Sequence, residues 1–313
     1  MNETVVETKN LVKRYRDVVA VDNASLSIRS GEVFGLLGPN GAGKTTTILA
    51  LLGLLPVDSG EIDLFGKRFT GRELALKGRI GVVPQELAIF EELTAEENLR
   101  FFGGLYGIRG RLLAERVDEA LEIAGLTERR KKRPRTFSGG MKRRLNAAAG
   151  LIHRPELLIM DEPTVGIDPQ SRNHILDVVR SLNAAGTTII YTSHYMEEVS
   201  ALCNTIAIMD HGRVIASGTE DDLVSIVERD ERIVLSVSHV YPAVLEAMSK
   251  LPGVRECEQR DHRIELTAER GQVSLSRLIE RANANGCEVT SANVERPSLE
   301  SVFLTLTGRS LRD

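Results

Sequence analysis

Residues Val33–Thr46 read VFGLLGPNGAGKTT. The apolar run Val33–Leu37 has the composition of a fully buried strand, and the apolar segment Ile48–Val57 beyond the loop has that of a buried helix. A glycine-rich turn with a terminal Lys-Thr, placed between a buried strand and a helix, is the context in which such a loop holds phosphate. Glycines let successive backbone N–H groups curl inward around a triphosphate, and the helix N-terminus adds a favourable dipole. Lys44 reaches the β- and γ-phosphates and Thr45 supplies a hydroxyl to Mg²⁺. Gly38, Pro39, Asn40, Gly41, Ala42, Gly43, Lys44, Thr45 and Thr46 are therefore the expected phosphate-binding set.

Working outward from this loop, Val5–Tyr15 and Val18–Ile28 alternate apolar and polar residues as paired strands do, and Ser30-Gly31 turns the chain into Val33. From Gly71 to about Arg135 the pattern becomes helical, with Thr94 and Glu97 spaced as a capping box ahead of Leu99, Phe102 and Tyr106. A helix from about Gly139, a strand at Leu157–Met160, a helix after Pro169, a strand at Thr187–Tyr191, a helix after Ser193 and a strand at Thr205–Met209 follow. Strands alternating with helices predict a largely parallel sheet. The acidic stretch Val224–Glu231 is read as a domain link. Beyond it, Arg232–Ser238, Ala243–Leu251, Val254–Gln259, Arg263–Leu266, Val273–Asn285 and Glu288–Val294 read as βαββαβ, the ferredoxin-like order. The expected division is 1–225 for an α/β nucleotide-binding domain, with a helical subdomain at about 86–155, and 226–313 for a small α+β extension.

Composition excludes several classes. A formal charge of −4 over 313 residues lacks the basic excess of a protein that wraps duplex nucleic acid. The cysteines Cys203, Cys257 and Cys287 form no CxxC pair and have no histidine at metal-ligand spacing, so they read as thiols of a reducing compartment. Ile48–Val57 is about half of the ~20 residues that a membrane-crossing helix needs. The acidic N-terminus MNETVVETKN has no charged leader ahead of an apolar core, which gives a cytoplasmic expectation.

Further chemistry lies downstream. Asp161 and Glu162 follow the strand Leu157–Met160, at the carboxyl edge where ligands of a parallel sheet gather. Asp161 can hold magnesium, and Glu162 can polarise an attacking water as general base. Ser138-Gly139-Gly140-Met141-Lys142 opens a second helix with a serine and glycines, again suited to an anion, yet it has no lysine loop or aspartate of its own. It reads either as a plain helix cap with a glycine turn or as the half of a phosphate site that a second molecule completes.

GPNGAGKTT, Gln85, SGGMK, LLIMDEP and His194, in this order, resemble the nucleotide-binding subunit of ATP-binding cassette transporters over residues 1 to about 225. The resemblance implies an ATPase using ATP and Mg²⁺. It implies that Tyr15 stacks on adenine, that Gln85 touches Mg²⁺ or the attacking water and senses a membrane subunit, and that His194 holds the γ-phosphate. It assigns Asp168, in VGID, to a loop facing the opposite protomer. Two departures stand out: FSGGM where the family usually has LSGGQ, and VGID where it often has SALD. Met141 cannot supply the hydrogen bond of a glutamine amide.

The tail PSLESVFLTLTGRSLRD and the βαββαβ segment before it look like the C-terminal extension of drug-resistance export ATPases. A packing and dimer-contact module is preferred for it over a small-molecule sensor. The run Arg129–Arg135, RRKKRPR, reads as a solvated loop, with an anionic membrane surface as its candidate neighbour. The expectation is then an ATP-dependent homodimer, peripheral on the inner face of the cell membrane, that drives a separate transmembrane permease. Phe90, Phe101, Phe102 and Tyr106 would carry closure to that permease or else pack as helical core. The runner-up is a cassette ATPase acting on DNA or ribosomes, which typically has tandem cassettes or a long coiled coil. A non-hydrolysing sensor is disfavoured by Glu162.

Overall fold

The computed structural model describes residues 3–227, 230–269, 271–295 and 298–308. The chain forms two compact units, the first running to Glu220 and the second from Asp221 to Gly308.

In the first unit, β1 (Thr4–Tyr15) and β2 (Val18–Arg29) pair antiparallel through the tight turn at Arg16-Asp17, where Arg16 takes φ 51°. β3 (Val33–Leu37) is buried at every position, as its apolar run requires, and leads through the glycine loop into α1 (Lys44–Leu51). β4 (Ser59–Leu64) and the two-residue β5 (Lys67–Arg68) extend the first pair into a sheet of order β2-β1-β4-β5. After α2 (Leu74–Lys77) comes β6 (Ile80–Val83), then α3 (Ala95–Leu105), α4 (Gly110–Ile123) and α5 (Gly139–Leu151). The remaining elements are β7 (Leu157–Asp161), α6 (Pro169–Ala184), β8 (Thr188–Thr192), α7 (Met196–Leu202), β9 (Thr205–Asp210) and β10 (Arg213–Gly218); α8 (Glu220–Val227) follows and, past Glu220, belongs to the second unit. The central sheet has the order β10-β9-β3-β8-β7-β6, parallel except for β10.

Two differences from the sequence reading have physical causes. The block 71–135 is not wholly helical, because Ile80–Val83 is the edge strand of the parallel sheet. Four consecutive apolar or glycine residues carry no periodicity that separates strand from helix. The stretch Val224–Glu231 is not an open link either: Val224 lies within α8 and Glu231 within β11 (Asp230–Val237), while Glu228 and Arg229 lie outside the described residues. The basic run agrees with the expected solvated loop: Arg129, Lys131, Lys132, Arg133 and Arg135 are exposed. Arg130 pairs with Glu96 at 3.1 Å and Asp118 at 2.8 Å, Arg135 lies 3.8 Å from Glu92, and Pro134 is buried.

The helical layer has its own core, built from Leu99 of α3, Val117 and Leu121 of α4, and Leu145 and Ile152 from α5 and its end. Phe102 packs against that core, whereas Phe90, Phe101 and Tyr106 remain exposed by 46%, 43% and 42%, so the aromatic stripe divides between the two expected roles. Thr94 and Glu97 form the expected capping box: Thr94 Oγ1 accepts from the Glu97 N–H at 3.2 Å and Glu97 Oε2 accepts from the Thr94 N–H at 2.7 Å.

In the second unit, β11, α9 (Pro242–Ser249), β12 (Val254–Arg260), β13 (Arg263–Glu269), α10 (Leu275–Ala284) and β14 (Val289–Glu295) give an antiparallel sheet of order β12-β13-β11-β14. This is the ferredoxin-like order. Ile233 and Leu235 of β11 and Ile264 and Leu266 of β13 pack with Val244 and Met248 of α9 and Leu278 and Ala282 of α10. A last helix, α11 (Leu299–Thr307), buries Leu299, Val302 and Phe303. Pro297 and residues 309–313 of the tail quoted above lie outside the described residues.

Replacing Thr94 by alanine removes the hydroxyl acceptor of the Glu97 N–H at the start of α3 and leaves the backbone half of the capping box, Thr94 N–H to Glu97 Oε2. The expected loss is about 1 kcal/mol of unfolding free energy, read as a lower urea midpoint with an unchanged slope.

Candidate active site

The parallel registers bring the chemistry to one edge. Leu36 of β3 lies opposite Thr192 of β8, and Thr192 lies opposite Asp161 of β7. The glycine loop, the acidic pair and the segment with His194 therefore leave the sheet side by side, as the carboxyl-edge rule anticipates.

The loop is fitted too closely for side chains. A Cβ on Gly38 would stand 2.5 Å from the Met209 carbonyl oxygen, and one on Gly43, at φ 104°, would collide with the Ala20 carbonyl. Gly43 caps α1 without a side-chain bond, which leaves the first turn's N–H groups directed along the loop. Lys44 is only 9% exposed and donates from Nζ to the carbonyls of Gly38 at 2.5 Å and Pro39 at 3.2 Å. Burial holds its pKa below the ordinary lysine value, and the carboxylates of Glu162 and Asp161 partly counter that effect. Thr45 is exposed on the same turn.

Thr192 organises the acidic pair. Its hydroxyl donates to Asp161 Oδ1 at 2.6 Å and accepts the Glu162 N–H at 2.9 Å. Glu162 adopts φ 46°, a left-handed backbone that a non-glycine residue holds only where its surroundings enforce it. Gln85 donates from Nε2 to Glu162 Oε2 at 3.1 Å, and His194 Nδ1 lies 3.4 Å from the same oxygen. Gly38, Asn40, Lys44, Gln85, Glu162, Val165, His194 and Tyr195 line a cavity of about 560 Å³. The Thr45 hydroxyl, the Asp161 carboxylate and the Gln85 amide oxygen form a hard oxygen donor set of the kind Mg²⁺ takes alongside phosphate oxygens.

Other expected residues lie elsewhere. Ser138 caps α5, its hydroxyl accepting from the Met141 N–H at 3.3 Å, and it lines a separate cavity of about 340 Å³ with Met141, Arg144, Asp168, Gln170, Ser171 and His174. A Cβ on Gly140 would overlap the Ser171 hydroxyl and stand 2.9 Å from Asp168 Oδ2, so this glycine is required for the two helix starts to meet. Asp168 caps α6 by accepting from the Ser171 N–H at 2.9 Å. Tyr15 closes β1, 46% exposed with Lys13 Nζ 5.6 Å from its ring centre, and is not among the residues lining the larger cavity.

Sequence reasoning passed over Thr192 and Arg143. The Arg143 guanidinium, on the helix that Ser138 opens, donates to the Gln85 carbonyl and so ties that helix to the glutamine loop. A threonine in a buried strand and an arginine on a basic helix give no local signal; only the registers reveal them.

Comparison with known proteins agrees with this geometry. Residues 21–165 match the family described as "ABC transporter", and residues 228–307 match "ATP-binding protein DrrA1-3-like, C-terminal domain". The linearmycin resistance ATP-binding protein LnrL of Bacillus subtilis is 49% identical over 99% of this chain and 100% of its own. A Nod factor export ATP-binding protein I of Cupriavidus metallidurans is 41% identical over 99% of both chains. The daunorubicin resistance ATP-binding protein DrrA3 of Streptomyces coeruleorubidus is 38% identical over 100% of this chain and 98% of its own. Among solved structures, an ATP-binding subunit of an ABC transporter superposes with a TM-score of 0.65 at 30% identity, covering 71% of this chain and 92% of that one. A dimeric post-hydrolysis ATP-binding cassette bound to ADP and Pi does so at 0.62 and 26%, covering 68% and 98%.

The chain belongs to the ATP-binding subunits of ABC transporters. Within them it has the two-part build of the drug-resistance and export ATPases, binding and hydrolysing ATP to power export. The alternative of a DNA- or ribosome-directed ATPase is not favoured. Among the described residues no helix is long and apolar enough to cross a membrane.

Thr192→Val keeps the strand shape but removes the hydroxyl shared by Asp161 and the Glu162 N–H. The Glu162 N–H keeps the Thr192 carbonyl at 3.2 Å, so the expected loss is chiefly the hydroxyl bond to the Asp161 carboxylate, about 1.5–3 kcal/mol of unfolding stability, measured by urea denaturation of the nucleotide-free protein.

Proposed function

We propose that the chain hydrolyses ATP in the seam of a homodimer, with the glycine loop of one copy facing Ser138, Gly139 and Gly140 of the other. The observation that carries this reading is a separation: Lys44, Gln85, Glu162 and His194 line one cavity, while Ser138 and Asp168 line another on the same molecule. A helix start suited to an anion but remote from its own lysine loop suits a partner's nucleotide. A relative with a solved structure is itself a dimer with ADP and Pi, which supports the same arrangement.

In this reading the N–H groups of residues 38–46 wrap the phosphates, Lys44 reaches the β- and γ-phosphates, and Tyr15 stacks on adenine. Glu162 takes a proton from the attacking water, Gln85 orients that water, and His194 holds a γ-phosphate oxygen. The strained Glu162 backbone, fixed through Thr192, pre-sets that carboxylate. Thr45, Asp161 and Gln85 would hold Mg²⁺, which supplies charge neutralisation to the phosphates when bound.

The transmembrane permease would dock on the helical layer. Val82, Pro84, Ala88, Phe102, Leu105, Tyr106 and Asn146 line an apolar groove of about 330 Å³, and Phe90 and Phe101 stand exposed on the same layer, 4.9 Å apart between ring centres. Gln85 follows Pro84 of that groove directly, so one short segment belongs to both the nucleotide site and the docking face. The chain would sit on the cytoplasmic face of the membrane through this contact. The part to about residue 225 would do the chemistry, and the extension from 226 would pack rather than bind cargo. The names of the relatives support an amphipathic, drug-like or lipid-like export substrate.

Glu162→Gln is expected to bind ATP with near-unchanged affinity while turnover falls about a hundredfold or more, and to elute as a dimer only with Mg-ATP. Turnover equal to the parent would remove Glu162 as base; a monomer under all nucleotide conditions would remove the shared seam. Purified from detergent-solubilised membranes with Mg-ATP, the same variant should bring down a stoichiometric polytopic membrane protein, and Tyr106→Ala should reduce that yield without altering turnover of the isolated subunit.

A further inference from the structure

Glu198 is a carboxylate only 3% exposed that no step above uses. A buried charge of this kind is costly unless it is fully paired. Its Oε2 accepts three hydroxyl bonds, from Thr164 Oγ1 at 2.9 Å, Tyr191 Oη at 2.9 Å and Ser193 Oγ at 2.8 Å. Its Oε1 faces Arg172 Nε at 3.4 Å, and that guanidinium lies 4.2 Å over the ring of Tyr195.

These partners come from the segments that carry Glu162, His194 and Asp168. Thr164 stands two residues beyond Glu162. Tyr191 precedes Thr192, which fixes both Asp161 and Glu162. Ser193 and Tyr195 flank His194, and the Ser193 hydroxyl also accepts the Tyr195 N–H at 2.9 Å, closing a small turn around the histidine. Arg172 belongs to α6, whose cap is Asp168. One oxygen thus gathers the Glu162 side and the His194 side, and the other reaches the helix that Asp168 begins. Tyr191 is held well above its ordinary pKa by burial and by this neighbouring charge, so its hydroxyl stays a donor across the working range.

We propose that Glu198 is a positioning residue: its carboxylate braces His194 and Glu162 against one phosphate and couples both to the Asp168 helix. The inference rests on the roles of His194 and Glu162 proposed above. Glutamine at this position keeps its one oxygen for the hydroxyl donors and turns its NH₂ group toward Arg172, so the site stays packed while the link to α6 is lost.

The test is a double-mutant cycle on the full chain, with Glu198→Gln, His194→Ala and the pair, reading kcat and KM for Mg-ATP together with affinity for a fluorescent ATP analogue. Glu198→Gln is expected to lower kcat about tenfold with affinity within about twofold, and to cause no further loss in the His194→Ala background. Equal losses in both backgrounds, or an affinity loss matching the kcat loss, would reduce Glu198 to a stabiliser of the fold and overturn the proposal. If His194→Ala alone keeps parental turnover, the site reading itself falls and takes this proposal with it, an outcome distinguished by a single variant. Should Glu198→Gln not accumulate as folded protein, Arg172→Met enters the same cycle, with the same non-additivity expected and additivity again fatal.

Discussion

Thr192 stands between two parallel neighbours, opposite Leu36 on one side and Asp161 on the other, and most of the site hangs on that register. Side chains alternate across a strand, so a slip of one residue would turn the Thr192 hydroxyl to the far face of the sheet. Asp161 would lose its 2.6 Å donor and the left-handed Glu162 would lose the hydroxyl acceptor of its N–H. The register is itself secured by the buried runs Val33–Leu37, Leu157–Met160 and Thr188–Thr192, which bury residues on both faces of the sheet. Hydrophobic packing on both sides thereby becomes ångström-level placement of polar atoms at the rim.

Two buried charges frame the rim and are handled differently. Lys44 satisfies its ammonium with loop carbonyls, weak partners that a phosphate outcompetes through charge. Glu198 is held at Oε2 by three hydroxyls, while its Oε1 faces the Arg172 guanidinium as an ion pair at 3.4 Å without a hydrogen bond. The first arrangement suits a group that must change partners and the second a group that must not. Between them Glu162 holds its left-handed backbone at φ 46°.

What the sequence makes legible follows the same division. The strand–loop–helix order around Gly38–Thr46, the acidic turn at Asp161-Glu162 and the βαββαβ order of the second unit are local patterns, and composition with spacing is enough to read them. The cavity that unites Lys44, Gln85, Glu162 and His194 could be expected only through family resemblance, since these residues are scattered along the chain. Thr192, Arg143 and Glu198 were illegible because their importance is entirely relational: a threonine in a strand, an arginine on a helix and a glutamate after a histidine look ordinary until the sheet aligns them. Ile80–Val83 escaped for the opposite reason, being too short and too uniformly apolar to display any period. The acidic stretch at Val224–Glu231 misled because charge marks solvent exposure, not the absence of structure.

The contact at Gly140 bears on how such a protein can be inherited. A methyl group there would occupy the space of the Ser171 side chain and crowd the Asp168 carboxylate. Position 140 therefore cannot be exchanged by any single viable step: Ser171 would first have to shrink to glycine, and Asp168 would have to give way as well. The dependence runs one way across two helices: any side chain at 140 presupposes earlier change at 171 and 168, whereas those two positions are free of that demand while glycine remains.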